Sequence, residues 1–404
     1  MSQPLDLAAI QSQSASASFK DAWQSRLERW YAHPGLYRWS LGNPFTRWLT
    51  RRRTRKLFDL MAGFVHSQVL LGCVRLDLFR TLHQAPAHLN DLASSTGLAP
   101  AVLQRLLLSA VALRFLEHRR QGRFVLGTLV VTLAQHEGIA QMIEHNHLLY
   151  QDMQDPVQFL NNAWSGGMAE YWPYAHEKPA VVMPTEQVDK FTRYSQLMAA
   201  SQGFVVQEIL SSYFFDEHRC VLDVGAGKGR FISELAAHAP HLRFKLFDLP
   251  PVMDLARETL KAKGLTQRVS LHPGSFLHDP LPEGADLITL VRVAHDHPDA
   301  VVRQILQKAY AALPLGGVLL LAEPMAQSDQ QDGHPEASVD AYFHFYLLAM
   351  GAGRLRTSRE LQTMMQEAGF THIEQVSNAM PIHAQIILGR KSQCLPFVSG
   401  NSVN

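Results

Sequence analysis

Cysteine is scarce in this chain. Only Cys73, Cys220 and Cys394 occur among 404 residues, and they lie too far apart for a metal-ligand or redox spacing. That excludes a disulfide framework and a cysteine-built metal centre, and points to a reducing compartment. Long apolar runs are also missing. The longest cover residues 124–134 and 60–76, the second interrupted by His66, Ser67 and Gln68. Both fall short of the roughly 20 apolar residues a bilayer span demands, so no membrane span is expected. The opening MSQPLDLAAI lacks the basic and apolar regions of a secretory signal, and a cytoplasmic location is expected.

Net charge is small as well, +1 in all, but it is unevenly spread. Residues 1–56 hold ten Lys/Arg against Asp6, Asp21 and Glu28, together with Trp23, Trp30, Trp39 and Trp48, four of the six tryptophans. The rest of the chain is net acidic. With 47% hydrophobic and 18% charged residues, there is ample material for two globular domains.

Four sections follow from the patterning: a basic, Trp-rich extension over 1–56, a mainly helical section over 57–200, an alternating section over 201–393 and a tail over 394–404. In the extension, His33-Pro34-Gly35 and Gly42-Asn43-Pro44 read as turns, while Trp23, Leu27 and Trp30 share one helical face. The second section contains a short helix opening at Leu89, a turn at Gly97-Leu98-Ala99-Pro100, a helix over 102–113 and a strand near 122–126. Helix, turn, helix and wing make a winged-helix pattern. A long helix is expected over 187–213.

From residue 220 onward strands and helices alternate. Strands are expected at 220–224, 244–247, 269–271, 286–293 and 317–322, and helices at 230–239, 252–263 and 301–313. A closing pair is expected at 372–377 and 385–388, after a helix over 358–368. This alternation predicts an α/β domain with a mainly parallel, Rossmann-like sheet. Residues 327–338 read as a polar surface loop.

The strongest local signal is Asp223-Val224-Gly225-Ala226-Gly227-Lys228-Gly229, a buried strand running into a glycine turn that opens a helix. Gly225, Gly227 and Gly229 allow the tight turn and the close approach of a ligand. Asp248, at the end of the second strand, is placed to accept the ribose hydroxyls of an adenosine cofactor. A nicotinamide fingerprint would continue to a third glycine where this chain has Arg230. Asp223 would repel a pyrophosphate but suits the ammonium and sulfonium of S-adenosylmethionine (SAM). The loop therefore reads as a SAM site, and no metal is expected.

With that loop, the chain resembles the class I SAM-dependent O-methyltransferases typified by caffeate and acetylserotonin O-methyltransferases. The shared motifs occur in order: the glycine loop, Phe247-Asp248-Leu249-Pro250, Val293-Ala294-His295-Asp296-His297-Pro298-Asp299 and Leu321-Ala322-Glu323-Pro324. The likeness covers about residues 60–390. It looks closest to the carotenoid branch of phototrophic bacteria, the hydroxyneurosporene or demethylspheroidene O-methyltransferases, through 57–65, 67–71 and Tyr171-Trp172-Pro173-Tyr174.

The resemblance implies that the winged-helix region mediates homodimerisation and that the acceptor is an apolar molecule, the tertiary 1-hydroxyl of a carotenoid. It also implies departures. Ser275 stands where the family has an aspartate near the adenine, and Phe276 where an apolar residue covers the ring. His297 replaces a common tryptophan. Gly353-Arg354-Leu355-Arg356-Thr357 has Leu355 where plant members place a second glutamate, which puts any two-carboxylate mechanism in doubt.

Methyl transfer needs an oxygen held in line and a destination for its proton. His295, at the end of the fourth strand, is the candidate base, since an imidazole accepts protons near neutrality. Glu323, ending the next strand, is the candidate for holding its tautomer, although a plain strand-end carboxylate is the competing reading. Asp296 either orients the site or caps the following helix. Arg292 either faces the cofactor or makes a strand-end ion pair. Residues 339–350 are apolar nearly all round and suit both core packing and an acceptor wall.

Other functions stay open at this point. The acceptor could instead be a phenol, a quinone or a bacteriochlorophyll precursor. A winged helix could bind DNA, but Arg105 and Arg114 are a thin basic surface for that, and no nucleic acid partner is expected. The extension 1–56 is suited to peripheral association with the inner (photosynthetic) membrane, and equally to tryptophans packed on the catalytic domain with solvated arginines.

Overall fold

The computed structural model describes residues 42–135, 137–161, 166–171, 202–327, 337–381 and 384–392, with isolated positions between 23 and 39. Trp30, Trp172, Pro173, the first part of the 187–213 helix, the 328–336 loop and the 394–404 tail lie outside the described residues. The chain divides into two compact units, Met1–Leu76 with Ala87–Gly127, and Asp77–Pro86 with Thr128–Asn404.

The first unit is dominated by a 32-residue helix, Pro44–Arg75. The Asn43 side chain accepts the Phe45 N–H at 3.0 Å, and Pro44 occupies the first helical position. Asparagine followed by proline is thus a helix start here rather than the expected turn, because proline lacks only an N–H that the first turn leaves unpaired. The helix runs through position 56/57. By length and composition alone it could cross a membrane, contrary to the expectation that no segment reaches that length.

Its C-terminal end buries Val69, Leu71 and Cys73 and packs on the helix Pro100–Ala112. The latter follows Leu89–Thr96 after Gly97, whose φ of 71° is the left-handed end a glycine provides. Strands β1 (Ala87–His88), β2 (Leu116–Arg119) and β3 (Arg123–Leu126) pair antiparallel in the order β1-β3-β2 and complete the winged-helix pattern.

The second unit carries a seven-stranded sheet. Its parallel part comprises β4 (Cys220–Val224), β5 (Arg243–Asp248), β6 (Val269–Pro273), β7 (Leu287–Val291) and β8 (Val318–Glu323). A parallel two-residue pair, β9 (Met325–Ala326) and β10 (Arg356–Thr357), follows. The last strands are β11 (Thr371–Val376) and β12 (Gln385–Arg390), and β12 lies antiparallel to both β8 and β11. The order is β11-β12-β8-β7-β4-β5-β6.

Every residue of β7 and β8 is buried, as expected of central strands covered by helices on both faces. The helices Arg230–His238 and Pro250–Ala262 bury one face with Phe231, Leu235 and Met253. Asp299–Ala312 and Ser358–Glu367 bury the other with Ile305, Leu306, Leu361 and Met365. Each such apolar side chain contributes about 1.5–3 kcal/mol of burial.

Strand order reverses between β4 and β7, and this opens a crevice at the carboxyl ends of the strands. The five parallel strands deliver Gly225, Asp248, Ser275, His295 and Glu323 to that single edge. A third cluster joins Leu149, Phe159 and Met168 to Tyr346, Leu347 and Met350 of the helix Ala337–Met350.

Candidate active site

At the end of β4, Gly225 has φ 72°, and a Cβ there would come within 2.7 Å of Val293 Cγ2. Only glycine lets the loop lie flat against the β7 end, two residues before His295. Gly227, at φ 54°, has open space where a Cβ would stand. Its N–H donates to Asp248 Oδ2 at 2.8 Å, while Leu249 N–H donates to Oδ1 at 2.7 Å. Gly229, at φ 75°, starts the Arg230–His238 helix, and Leu246 lies 3.0 Å from its absent Cβ. Asp248 is buried, which fixes its carboxylate beside the glycine turn.

Asp223 is buried too, and its carboxylate accepts the Thr289 hydroxyl at 2.7 Å across the β4–β7 register. Burial, with a smaller contribution from the nearby Asp248 charge, pushes its carboxyl up to about 7. A buried acid so destabilised as an anion is chemically matched to a cationic ligand. The open space at Gly227, the fixed Asp248 and the buried Asp223 fit SAM, whose ribose offers hydroxyls and whose amino acid end and sulfur carry positive charge.

A second cluster is assembled from the ends of β7 and β8. His295 sits in a 3₁₀ turn, Ala294–Asp296, and is buried. Its Nδ1 lies 2.6 Å from Glu323 Oε2. Glu323 also accepts the backbone N–H groups of Val293 and Ala294 on Oε1, both at 2.7 Å, and that of His295 on Oε2 at 3.3 Å. Four N–H groups converge on one carboxylate that is 1% exposed, so its orientation is fixed by backbone as well as by the imidazole.

The other ring nitrogen, Nε2, lies 3.2 Å from Asp296 Oδ1. The competing expectation for Asp296, a helix cap, is overturned: the next helix begins at Asp299 with Pro298 as its cap residue, and Asp296 turns toward the imidazole instead.

The loop after His295 is held by a group that sequence reasoning passed over. Arg356 is almost wholly buried and donates to Ala294 O at 2.8 Å, His297 O at 2.7 Å and Asp299 Oδ1 at 2.8 Å. Arg354 forks onto Asp299 at 2.9 and 3.0 Å and pairs with Glu360. Hydrogen bonds from these two arginines hold the Asp299 carboxyl down at about 2, against the opposing effect of desolvation. A Cβ on Gly353 would collide with the His295 carbonyl oxygen, so this segment lies directly against the turn that carries the imidazole. The only sequence signal was the pair of arginines flanking Leu355.

Leu355 is 4% exposed and packs with Leu149, Tyr346 and Leu347. The apolar position expected in place of a second carboxylate is therefore part of a core. Ser275 is half-buried; its N–H donates to Asp279 Oδ2 at 2.8 Å and its hydroxyl accepts the Leu277 N–H at 3.3 Å. Phe276 is 8% exposed and meets His297 edge-on, the ring centroids 5.1 Å apart. Burial pulls His297 down to about 4, so it is neutral at pH 7.

Arg292 adopts a left-handed φ of 57° and donates its backbone N–H to Ala322 O at 2.8 Å. That conformation is costly for a residue with a Cβ and marks a constrained strand end. Among the described residues its guanidinium forms no ion pair, and its charge acts instead on Tyr342. Tyr342 donates to Asn146 Oδ1 at 3.0 Å, and the Tyr346 hydroxyl lies 3.2 Å from His145 Nε2. These pairs satisfy the polar groups of an otherwise apolar wall.

Two family models match this chain: an O-methyltransferase domain over residues 150–371 and an O-methyltransferase dimerisation domain over residues 58–135. The chain is 37% identical over 344 residues to demethylspheroidene O-methyltransferase of Cereibacter sphaeroides, covering 85% of this chain and 89% of that protein. It is 39% identical over 346 residues to the Rhodobacter capsulatus protein of the same name, covering 85% and 84%. Human N-acetylserotonin methyltransferase, solved in complex with SAM, shares the fold with a TM-score of 0.68 at 22% identity, over 84% of this chain and 98% of that one. With the glycine turn, the strand-end acids and both family domains in place, the chain belongs to the SAM-dependent O-methyltransferases and carries that family's dimerisation domain.

Proposed function

We propose that this enzyme methylates the tertiary 1-hydroxyl of an acyclic carotenoid, as a homodimer, in carotenoid biosynthesis. The observation that carries this reading is the 37–39% identity, over 85% of the chain, to two demethylspheroidene O-methyltransferases. The apolar cluster of Leu149, Phe159, Tyr346, Leu347 and Leu355 supports it, since a polyene needs apolar surroundings with one polar end.

SAM would be held by Asp223, the turn at Gly225, Gly227 and Gly229, and Asp248, with Ser275, Phe276 and Arg292 flanking the cofactor. When bound, it supplies an electrophilic methyl on a sulfonium. His295 acts as the base. With its Nδ1–H donated to Glu323, Nε2 presents a lone pair and receives the hydroxyl proton as the oxygen gains its new bond. A tertiary alcohol is too weak an acid to be ionised beforehand, so Nε2 would take the proton during the transfer rather than before it. Asp296, beside Nε2, stabilises the imidazolium that results, and Glu323 does so from the other nitrogen. General-base participation of this kind is worth roughly 10²–10⁴-fold. Peripheral membrane association would suit a lipid-dissolved acceptor.

The test is incubation with labelled SAM and a panel of carotenols, phenols and tetrapyrroles, for the wild type and His295→Ala. Methylation of the 1-hydroxy carotenoid, depressed by orders of magnitude in the variant with SAM affinity retained, is the expected result. A clear preference for a phenol or tetrapyrrole would overturn the acceptor. A variant with wild-type turnover would remove His295 from the chemistry.

A further inference from the structure

The helix Pro44–Arg75 has two stretches of different chemistry. From residue 58 onward it lies within the matched dimerisation domain, and its exposed Phe58, Leu60, Met61 and Phe64 are suited to a second copy of the chain. Residues 44–57 precede that domain. They contain Arg47, Arg51, Arg52, Arg53, Arg55 and Lys56, with no acidic residue before Asp59. The five basic residues within 51–56 are exposed.

Phe45, Trp48 and Leu49, at i, i+3 and i+4, form one apolar patch on the preceding turn, and Phe45 is 92% exposed and Trp48 65%. The Arg52 guanidinium lies over the Trp48 ring, 5.6 Å from its centre, so cation and indole sit together on this stretch of the helix.

An isologous second copy is a poor occupant for this stretch, because it would bring an equal row of cations against the first. An acidic protein surface would answer the charges but not the projecting phenylalanine and indole. The headgroup boundary of an anionic bilayer answers both at once: phosphates for the arginines, acyl chains for Phe45, Trp48 and Leu49. We infer that residues 45–56 form a docking surface for anionic phospholipid membranes, ahead of and separate from the dimer face. The inference stands on exposure and charge and does not depend on which acceptor is methylated.

The experiment is co-sedimentation of the full chain with phosphatidylcholine vesicles, with and without phosphatidylglycerol, at low and high salt. Binding is expected only with phosphatidylglycerol, weakened by salt. Arg51→Gln/Arg52→Gln/Arg55→Gln should lower it about a hundredfold, roughly a factor of five for each basic residue near the surface. Phe45→Ser/Trp48→Ser should lower it as well, while both variants keep the wild-type oligomeric mass by light scattering and the wild-type turnover on detergent-dispersed acceptor.

Several results would overturn the inference. One is no binding of the wild type at low salt. Another is binding that survives high salt, which would mean the helix inserts as a span. Conversion to monomer in either variant would assign the stretch to the dimer. Duplex DNA binding at the same salt, equal to vesicle binding and untouched by Phe45→Ser/Trp48→Ser, would assign it to nucleic acid.

Discussion

Glu323→Gln preserves shape and volume at the buried centre of the site and changes only what the side chain can accept. In the native enzyme one oxygen accepts Val293 and Ala294 N–H at 2.7 Å each. The other accepts His295 Nδ1–H at 2.6 Å and the His295 backbone N–H at 3.3 Å. A carboxamide has one acceptor oxygen and one NH₂ donor. If the NH₂ faced Val293 and Ala294, two buried backbone donors would be left unpaired, at about 1–3 kcal/mol each. The oxygen therefore stays on those two donors, and the NH₂ confronts the imidazole.

The imidazole can satisfy that NH₂ only by moving its proton from Nδ1 to Nε2. In that tautomer the nitrogen aimed at the acceptor is a donor and cannot receive a proton. The fold survives and the base is lost. A turnover deficit of about 10²–10⁴-fold is expected, about 3–5 kcal/mol in the barrier. Single-turnover transfer from labelled SAM reads the chemistry, calorimetry reads SAM affinity and thermal unfolding reads the fold. A folded, SAM-binding Glu323→Gln enzyme with native turnover would refute both the tautomer reasoning and the role assigned to His295.

Three further outcomes follow from charge and geometry. Because burial raises Asp223 to about 7, the unliganded site holds it protonated below that pH, and arrival of a cationic ligand must expel the proton. SAM affinity measured by calorimetry should climb as pH rises toward 7 and then level; Asp223→Asn should flatten the profile, and an unchanged slope would sink the assignment. The same shift has the opposite sign for folding. Between about pH 4 and 7 the unfolded chain ionises this group first, so the unliganded wild type should lose stability relative to Asp223→Asn as pH rises. For Arg356→Lys, a single ammonium cannot reach the two carbonyls and the carboxylate that the guanidinium serves. Turnover should fall about 10–100-fold through displacement of the His295 turn, with SAM affinity preserved; Arg356→Ala should recover part of it with added guanidinium. Parallel loss of SAM affinity, or no recovery, would make Arg356 a folding residue only.

The parallel sheet and its strand ends were legible because buried strands and amphipathic helices leave opposite periodicities. β4 to β8 all fall on or within about two residues of where the apolar runs predicted them. Glycine spacing and strand-end acids were readable for the same reason: parallel strands send their carboxyl ends to one edge, so Asp248, His295 and Glu323 had to share it. What depended on the path of irregular backbone was not readable. Asn43-Pro44 looks the same in a turn and at a helix start, and only the helix beyond it decides. Asp296 reaches Nε2 because residues 294–296 close a 3₁₀ turn, which no periodicity announces. Arg356 is separated from His295 by sixty positions and acts on carbonyl oxygens, which the sequence does not display.

The departure at Leu355 connects these points. A glutamate at that position would have to sit among Leu149, Tyr346 and Leu347, and its desolvation would demand a partner that the apolar cluster does not offer. Leucine removes that demand and leaves the imidazole with carboxylates at its two nitrogens, Glu323 from the neighbouring strand and Asp296 from its own turn. The second of these is only as well placed as the turn is rigid. The buried arginine fastened to Ala294 O and His297 O, and the glycine that lets Gly353 lie against His295, supply that rigidity from the segment in which the family's other carboxylate would stand. In this chain that segment exchanges a charge beside the imidazole for a grip on the backbone beneath it, and the cluster around Leu355 stays apolar.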